Sequence, residues 1–190
     1  MRRARIIEQA IGLFGERGYY GFTIQELAKR CELSNPGLLH YFPSKLDVLL
    51  GVLAELETRE AEFMEPLVQQ VRDDAGSKEA VLTVLRAMVG RVTAQPAKMR
   101  VMVEFQAESI DAEHPAHAWW HRREQVLLEF LGWLLAPHVD RPGAVARQLM
   151  ALLDGFPLQW LRRDASGDAL AEWDEAMARA LPELHCGTQV

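Results

Sequence analysis

Cysteine is scarce in this sequence: of 190 residues only Cys31 and Cys186 carry a thiol. They lie far apart and form no CxxC pair, which argues against a disulfide framework or a zinc knuckle and leaves both as plain thiols. No apolar run reaches the ~20 residues that a membrane-spanning helix requires. The opening segment, residues 1–18, begins with arginines as a signal peptide would. Glu8, Glu16 and Arg17 interrupt its apolar stretch, however, and no small-residue cleavage site follows, so a cytoplasmic protein is expected. A Ser/His/Asp order, a phosphate-binding glycine loop and an HExxH motif are all missing, so no enzyme class is indicated. Alternating strand patterns, internal repeats and low-complexity tracts are absent as well.

What remains is helix-forming and unevenly charged. The chain is 49% hydrophobic and 25% charged, the composition of a globular protein, with a net charge of −6. Residues 1–50 hold seven Lys/Arg against five Asp/Glu, whereas residues 51–190 hold fourteen against twenty-two. A slightly basic head on an acidic body is the distribution expected if the head faces phosphate.

Apolar spacing predicts helices over 3–17, 23–30, 34–42, 44–71, 78–94, 97–111, 116–135, 142–163 and 168–181. Thr23 with Glu26 forms a capping box, Ser34 caps the next segment, and Pro43 stops it near Phe42. The long helix from Ser44 places Leu46, Leu49, Leu53, Leu56 and Phe63 along one side, and Pro66 is expected to kink or interrupt it. The fold class is therefore all-α, an N-terminal three-helix helix-turn-helix domain at 1–45 and a C-terminal helical bundle at 46–190, about nine helices in all.

Two short capped helices joined by a tight turn around Cys31-Glu32-Leu33 can cross steeply, so that the second enters a major groove while the first braces it. Leu27, Ala28 and Leu38 supply the apolar crossing. The residues Ile6-Ile7, Ala10, Phe14, Gly18-Tyr19, Thr23, Leu27-Ala28, Leu33-Ser34, Leu38, Phe42 and Ser44-Lys45 resemble, in type and spacing, the DNA-binding domain of the TetR/AcrR family of bacterial transcription regulators. The resemblance covers residues 5–49. It implies base reading by Gln25, Asn35, Pro36, Gly37 and His40, with Ser34 capping that helix beside the DNA, and phosphate contacts from Thr23, Tyr41 and Lys45. Asn and Gln suit base reading because each can pair bidentately with adenine, and a Gly permits close approach. Leu39 stands where the family usually has Tyr, so a phosphate contact is lost or passes to His40 or Tyr41. The basic arm is only Arg2-Arg3.

The resemblance further implies a homodimer through helices near 142–163 and 168–181, a double-stranded DNA operator, an unidentified small-molecule effector, no membrane partner and no cofactor. Candidate effector-lining residues are Phe63, Met88, Met102, Phe105, Trp119, Trp120, Phe156 and Trp160, although each could equally be core. Stripes at 119, 126, 130 and 133, at 145–160 and at 170–181 suit a helical interface or an intrachain core. Arg100, Glu104 and Glu108 read as a solvated ion-pair face. His114, His117 and His121 have the spacing of metal ligands, but Pro115 breaks the first pair and no Cys is near, so no metal site is expected. The alternative reading is a helical ligand-binding protein or enzyme whose head is a structural or protein-interaction module.

Overall fold

A computed structural model of the chain describes residues 2–74 and 76–185, and every regular element among them is helical. The helices are α1 (Arg2–Arg17), α2 (Ile24–Arg30), α3 (Asn35–Leu39), α4 (Lys45–Asp73), α5 (Lys78–Thr93), α6 (Pro96–Glu108), α7 (His117–Leu135), α8 (Pro142–Arg162), α9 (Ala169–Ala180) and the single turn α10 (Pro182–His185). The expected segments are all present, and α10 adds one turn. Cys186 lies outside the described residues.

Packing gathers the chain into two compact units, Met1–Glu62 with Ala97–His121 and Phe63–Pro96 with Arg122–Val190. This division differs from a head ending at 45, because α6 and the start of α7 pack with the N-terminal helices. The reason is a shared aromatic core. The Phe14 ring meets Phe22 and Phe105 edge-on, each at 5.0 Å between centroids. Ile6, Ile7, Ala10, Leu27, Leu38, Phe42, Val48, Leu49 and Val52 close around this group. The second unit buries Val81, Val84 and Leu85 of α5 with Leu131, Leu134 and Leu135 of α7, Leu149 of α8, and Trp173 and Met177 of α9.

Several expectations are corrected. Helix α4 is not interrupted at Pro66. A proline inside a helix removes one hydrogen bond, but Pro66 and Glu62 both lie on an exposed side, where water can take the bond's place. Leu46 is 43% exposed and stands outside the apolar side of α4, which Val48, Leu49, Val52 and Leu53 form instead. Helix α3 ends at Leu39, with a turn over His40 and Tyr41 in which Phe42 N–H still reaches the Leu38 carbonyl at 3.0 Å. Pro43 disfavours helical geometry at Phe42 and ends the segment.

The stripes of the C-terminal helices separate into two kinds. On α9, Trp173, Met177 and the following Leu181 are buried in the second unit, with the Phe156 ring edge-on to Trp173 at 5.7 Å. That stripe is intrachain core, so it is not free to form a seam with a second copy. On α7 the predicted stripe divides: Trp119 is buried and Phe130 packs against the second core, whereas Val126 is 66% and Trp133 45% exposed, and Leu131, Leu134 and Leu135 face the core. Apolar residues on opposite sides of the second half of α7 defeat a one-face reading of its pattern.

Candidate nucleic-acid interface

The corner between α2 and α3 is built from its end groups. Glu26 N–H donates to the Thr23 hydroxyl at 3.2 Å and Thr23 N–H to the Glu26 carboxylate at 2.7 Å, a complete capping box. Arg17 pairs with the same carboxylate at 2.8 Å. The Thr23 backbone N–H, then its hydroxyl and then Arg17 hold the Glu26 carboxyl below its ordinary range. Helix α2 closes with Glu32 N–H on the Lys29 carbonyl (3.1 Å) and Leu33 N–H on the Ala28 carbonyl (2.9 Å). This is a Schellman motif, in which the residue after the cap turns left-handed. Here that residue is Glu32, φ 58°, in a place that glycine usually takes.

From this corner α3 presents its sides unequally. Leu38 is fully buried and anchors the helix, while Ser34 accepts the Gly37 N–H at 3.2 Å and caps it. Pro36 and His40 are exposed, Gly37 and Tyr41 are half-buried, and the His40 ring lies 5.6 Å from Tyr41, edge to face. Gln25 is exposed on α2. Asn35 is half-buried, and its side-chain oxygen is buried with no hydrogen-bond partner. Bidentate pairing with adenine needs that oxygen as an acceptor, so the amide must turn to read this base. Leu39 is half-buried and adds an apolar contact where the family's Tyr would add a hydroxyl.

Two of the three expected phosphate ligands, Thr23 and Lys45, are already engaged. The Thr23 hydroxyl and N–H are both committed to the capping box. Lys45 donates from Nζ to the Phe22 carbonyl at 2.6 Å and lies 4.5 Å over the Phe22 ring and 4.9 Å over Tyr19. Burial pushes its ammonium down from the ordinary value, against the pull of Glu108 and Glu26. Its first role is therefore to tie the α1–α2 loop to the start of α4. Arg2 and Arg3 are helical residues of α1, not a loose arm, and Arg3 lies 4.9 Å above the Phe42 ring. Sequence alone did not reveal that an exposed guanidinium stands at the end of the α3 segment; the only trace of it was the charge at the chain's start.

The effector candidates divide between the units. Met102, Phe105, Trp119 and Trp120 pack in the first, and Phe63, Met88, Phe156 and Trp160 in the second. Phe105 is fully buried against Phe14, which makes it core. The Trp119 and Trp160 indole N–H groups are buried without partners. Two distinct hollows lie on the helix-turn-helix side, a groove of about 130 Å³ along Arg2, Arg5, Cys31 and Glu32 and another beside Leu13, Arg17 and Lys29, and neither is lined by these candidates.

The Arg100–Glu108 face is not simply solvated. Glu104 is half-buried, with its carboxyl raised by burial and by Glu108, and Glu108 accepts a backbone bond from Tyr19. His114 is buried, and the His117 Nδ1 lies 2.8 Å from the Ser109 carbonyl. Among the described residues no group of three or more His, Cys, Asp or Glu is placed to hold a metal ion. No described helix is long and apolar enough to cross a membrane.

Residues 6–52 match the model of the bacterial regulatory proteins, tetR family. Over these residues the chain is similar to that family. The match spans α1 to the first turns of α4 and contains every base-contact candidate. The chain is 46% identical, over 48 residues, to the HTH-type transcriptional regulator YuxN of Bacillus subtilis (25% of this chain, 16% of that one). It is 35% identical over 75 residues to the HTH-type transcriptional repressor AcnR of Corynebacterium diphtheriae, 38% of this chain and 40% of that protein. The chain thus spans less than half the length of these two relatives. The regulator BetI of Klebsiella pneumoniae is 25% identical over 95% of this chain and 90% of its own length. The fold is shared with solved structures over nearly the whole chain. AibR, in a complex with isovaleryl coenzyme A and operator DNA, superimposes with a TM-score of 0.74 at 21% identity, covering 96% of this chain and 99% of its own. The fatty acid degradation regulator FadR of Bacillus halodurans gives 0.69 at 18%, covering 99% and 96%.

Proposed function

We propose that the protein is a homodimeric transcription regulator, a repressor, whose two α3 segments read the half-sites of a pseudo-palindromic operator and which a small-molecule effector releases. The observation that carries this reading is the orientation of α3 within a tetR-family match. Leu38 is inside, Pro36 and His40 are outside, and the corner before them is fixed by two caps and a Schellman motif. A helix held this firmly at one side can present the other to base edges without ordering itself on binding. Gln25, Asn35, Gly37 and His40 are the base-contact candidates. Tyr41 and Arg3 are the side chains left for phosphate, since Thr23 and Lys45 already have partners. The assignment of 1–45 to DNA and 46–190 to effector binding and dimerisation is part of this proposal. The protein acts by binding alone, in the cytoplasm, and no catalytic step is assigned to it.

For the second copy we assign α7 and α8. The α9 stripe is consumed in the core, whereas Val126, Phe130 and Trp133 recur on one side of α7 and two of them are exposed. For the effector, the unpartnered indole N–H of Trp160 in the second unit favours an apolar molecule that carries a hydrogen-bond acceptor. Acyl-coenzyme A thioesters are the first class to test, because AibR was crystallised with one.

Selection of duplexes from a random library, followed by titration at several salt concentrations, tests the DNA reading. A recovered inverted repeat bound with a steep salt dependence is expected. Acyl-coenzyme A added to that complex should then release it, and only a compound with different affinity for the bound and free states can do so. Recovery of no consensus would refute DNA reading, and release by no thioester would refute the effector class alone.

A further inference from the structure

Glu108, the last residue of α6, lies far in sequence from the helix-turn-helix and packs against it. Its carboxylate Oε2 accepts the Tyr19 N–H at 3.1 Å. Gly18, before Tyr19, has φ +66°, which favours glycine, and a Cβ there would stand 2.3 Å from Glu108 Oε1, so a side chain at this corner would make the carboxylate move. On its other side is His114, which is buried. The His114 Nδ1 accepts the Ala116 N–H at 3.2 Å, which leaves the ring proton on Nε2, 3.4 Å from Glu108 Oε2. The His114 ring also meets Tyr19 and Tyr20 edge-on, at 5.4 and 5.7 Å. A carboxylate in the last turn of a helix opposes the helix dipole. The Tyr19 N–H offsets that cost at this position.

The contacts continue toward DNA. Tyr19 supports the Lys45 ammonium, Lys45 holds the Phe22 carbonyl, and the next residue, Thr23, caps α2. We propose that Glu108 is a positioning residue for DNA recognition: it fixes the 18–22 corner, and through it the start of α4 and the cap of α2, without touching nucleic acid. This role rests on the DNA-binding reading above.

The test uses the full chain and the duplex that the wild-type protein selects. Glu108→Ala should weaken binding about tenfold, the equivalent of losing one bond to a charged group. The slope of log K against log salt should stay unchanged, because no phosphate contact is removed. Glu108→Gln keeps an oxygen for the Tyr19 N–H and should recover most of the affinity. Hydrogen exchange should find the Tyr19 amide protected in the wild type, exposed in the Ala variant and protected again in the Gln variant, with α9 amides unaltered. Wild-type affinity in the Ala variant, or a loss that vanishes once corrected for the folded fraction, would overturn the role. An unprotected Tyr19 amide in the wild type would overturn it whether or not either variant folds. A wild-type protein that selects no duplex refutes the DNA-binding reading and this role together, and does so before any variant is compared.

Discussion

Glu32 departs from the usual chemistry of its position, since a side chain with a Cβ occupies a left-handed conformation at the α2–α3 corner. That conformation costs about 1–2 kcal/mol for a non-glycine residue, and the Arg5–Glu32 ion pair is solvent-exposed on both sides and returns little. Glu32→Gly removes the strain but gives the unfolded chain more freedom to lose. A net gain of about 1 kcal/mol is expected, seen as a rise of roughly 2–4 °C in Tm; a fall in Tm would mean that the ion pair matters more than the backbone. Glu26 gives a pH dependence of definite sign. Its folded-state pKa is held below the ordinary 4.5, so its stabilisation is complete above about pH 4.5 and is lost as the pH falls through the folded value. Glu26→Gln can still accept the Thr23 N–H and does not titrate. Urea melts should therefore show a shallower loss of stability between pH 5 and about pH 3 for the variant than for the wild type; parallel curves would contradict this assignment.

At the scale of the elements, Gly51 of α4 decides how closely two helices approach. A Cβ there would stand 2.7 Å from a Phe42 ring carbon and 2.9 Å from the Ile7 methyl, both buried. Alanine would add about 1 kcal/mol of helix propensity, but overpacking against two immobile neighbours costs about 1–3 kcal/mol. Gly51→Ala should therefore destabilise the protein in a denaturant melt, and an unchanged or raised midpoint would show that α4 can shift outward. Sequence made most of these elements legible. The Thr23/Glu26 and Ser34 caps and the 3- and 4-residue spacings located α1 to α3, and with them the base-contact candidates, because those signals are local. What it could not place depends on tertiary partners. The burial of Phe105 against Phe14, the capture of Lys45 by the Phe22 carbonyl and the commitment of the α9 stripe to the core all join residues distant in sequence. Helix α7 misled for a further reason: apolar residues on opposite sides give no single stripe from which to infer an inside.

For the whole molecule, the account requires two copies acting together. Trp133 is an exposed aromatic on α7, next to Phe130 at 5.9 Å between ring centroids. Trp133→Glu would set charges against each other across a two-fold seam. Sedimentation should find it monomeric where the wild type is dimeric, with its DNA affinity reduced while its helical content is kept; a stable dimer would place the seam elsewhere. The most direct test of the central claim compares His40→Ala and Asn35→Ala with the wild type on the selected duplex and on a scrambled one. If α3 reads bases, each variant should lose about 1–3 kcal/mol on the selected sequence and almost nothing on the scrambled one, with relaxed preference at a definite position of the half-site. Equal losses on both duplexes, or none on either, would contradict the assignment of α3 as the reading helix.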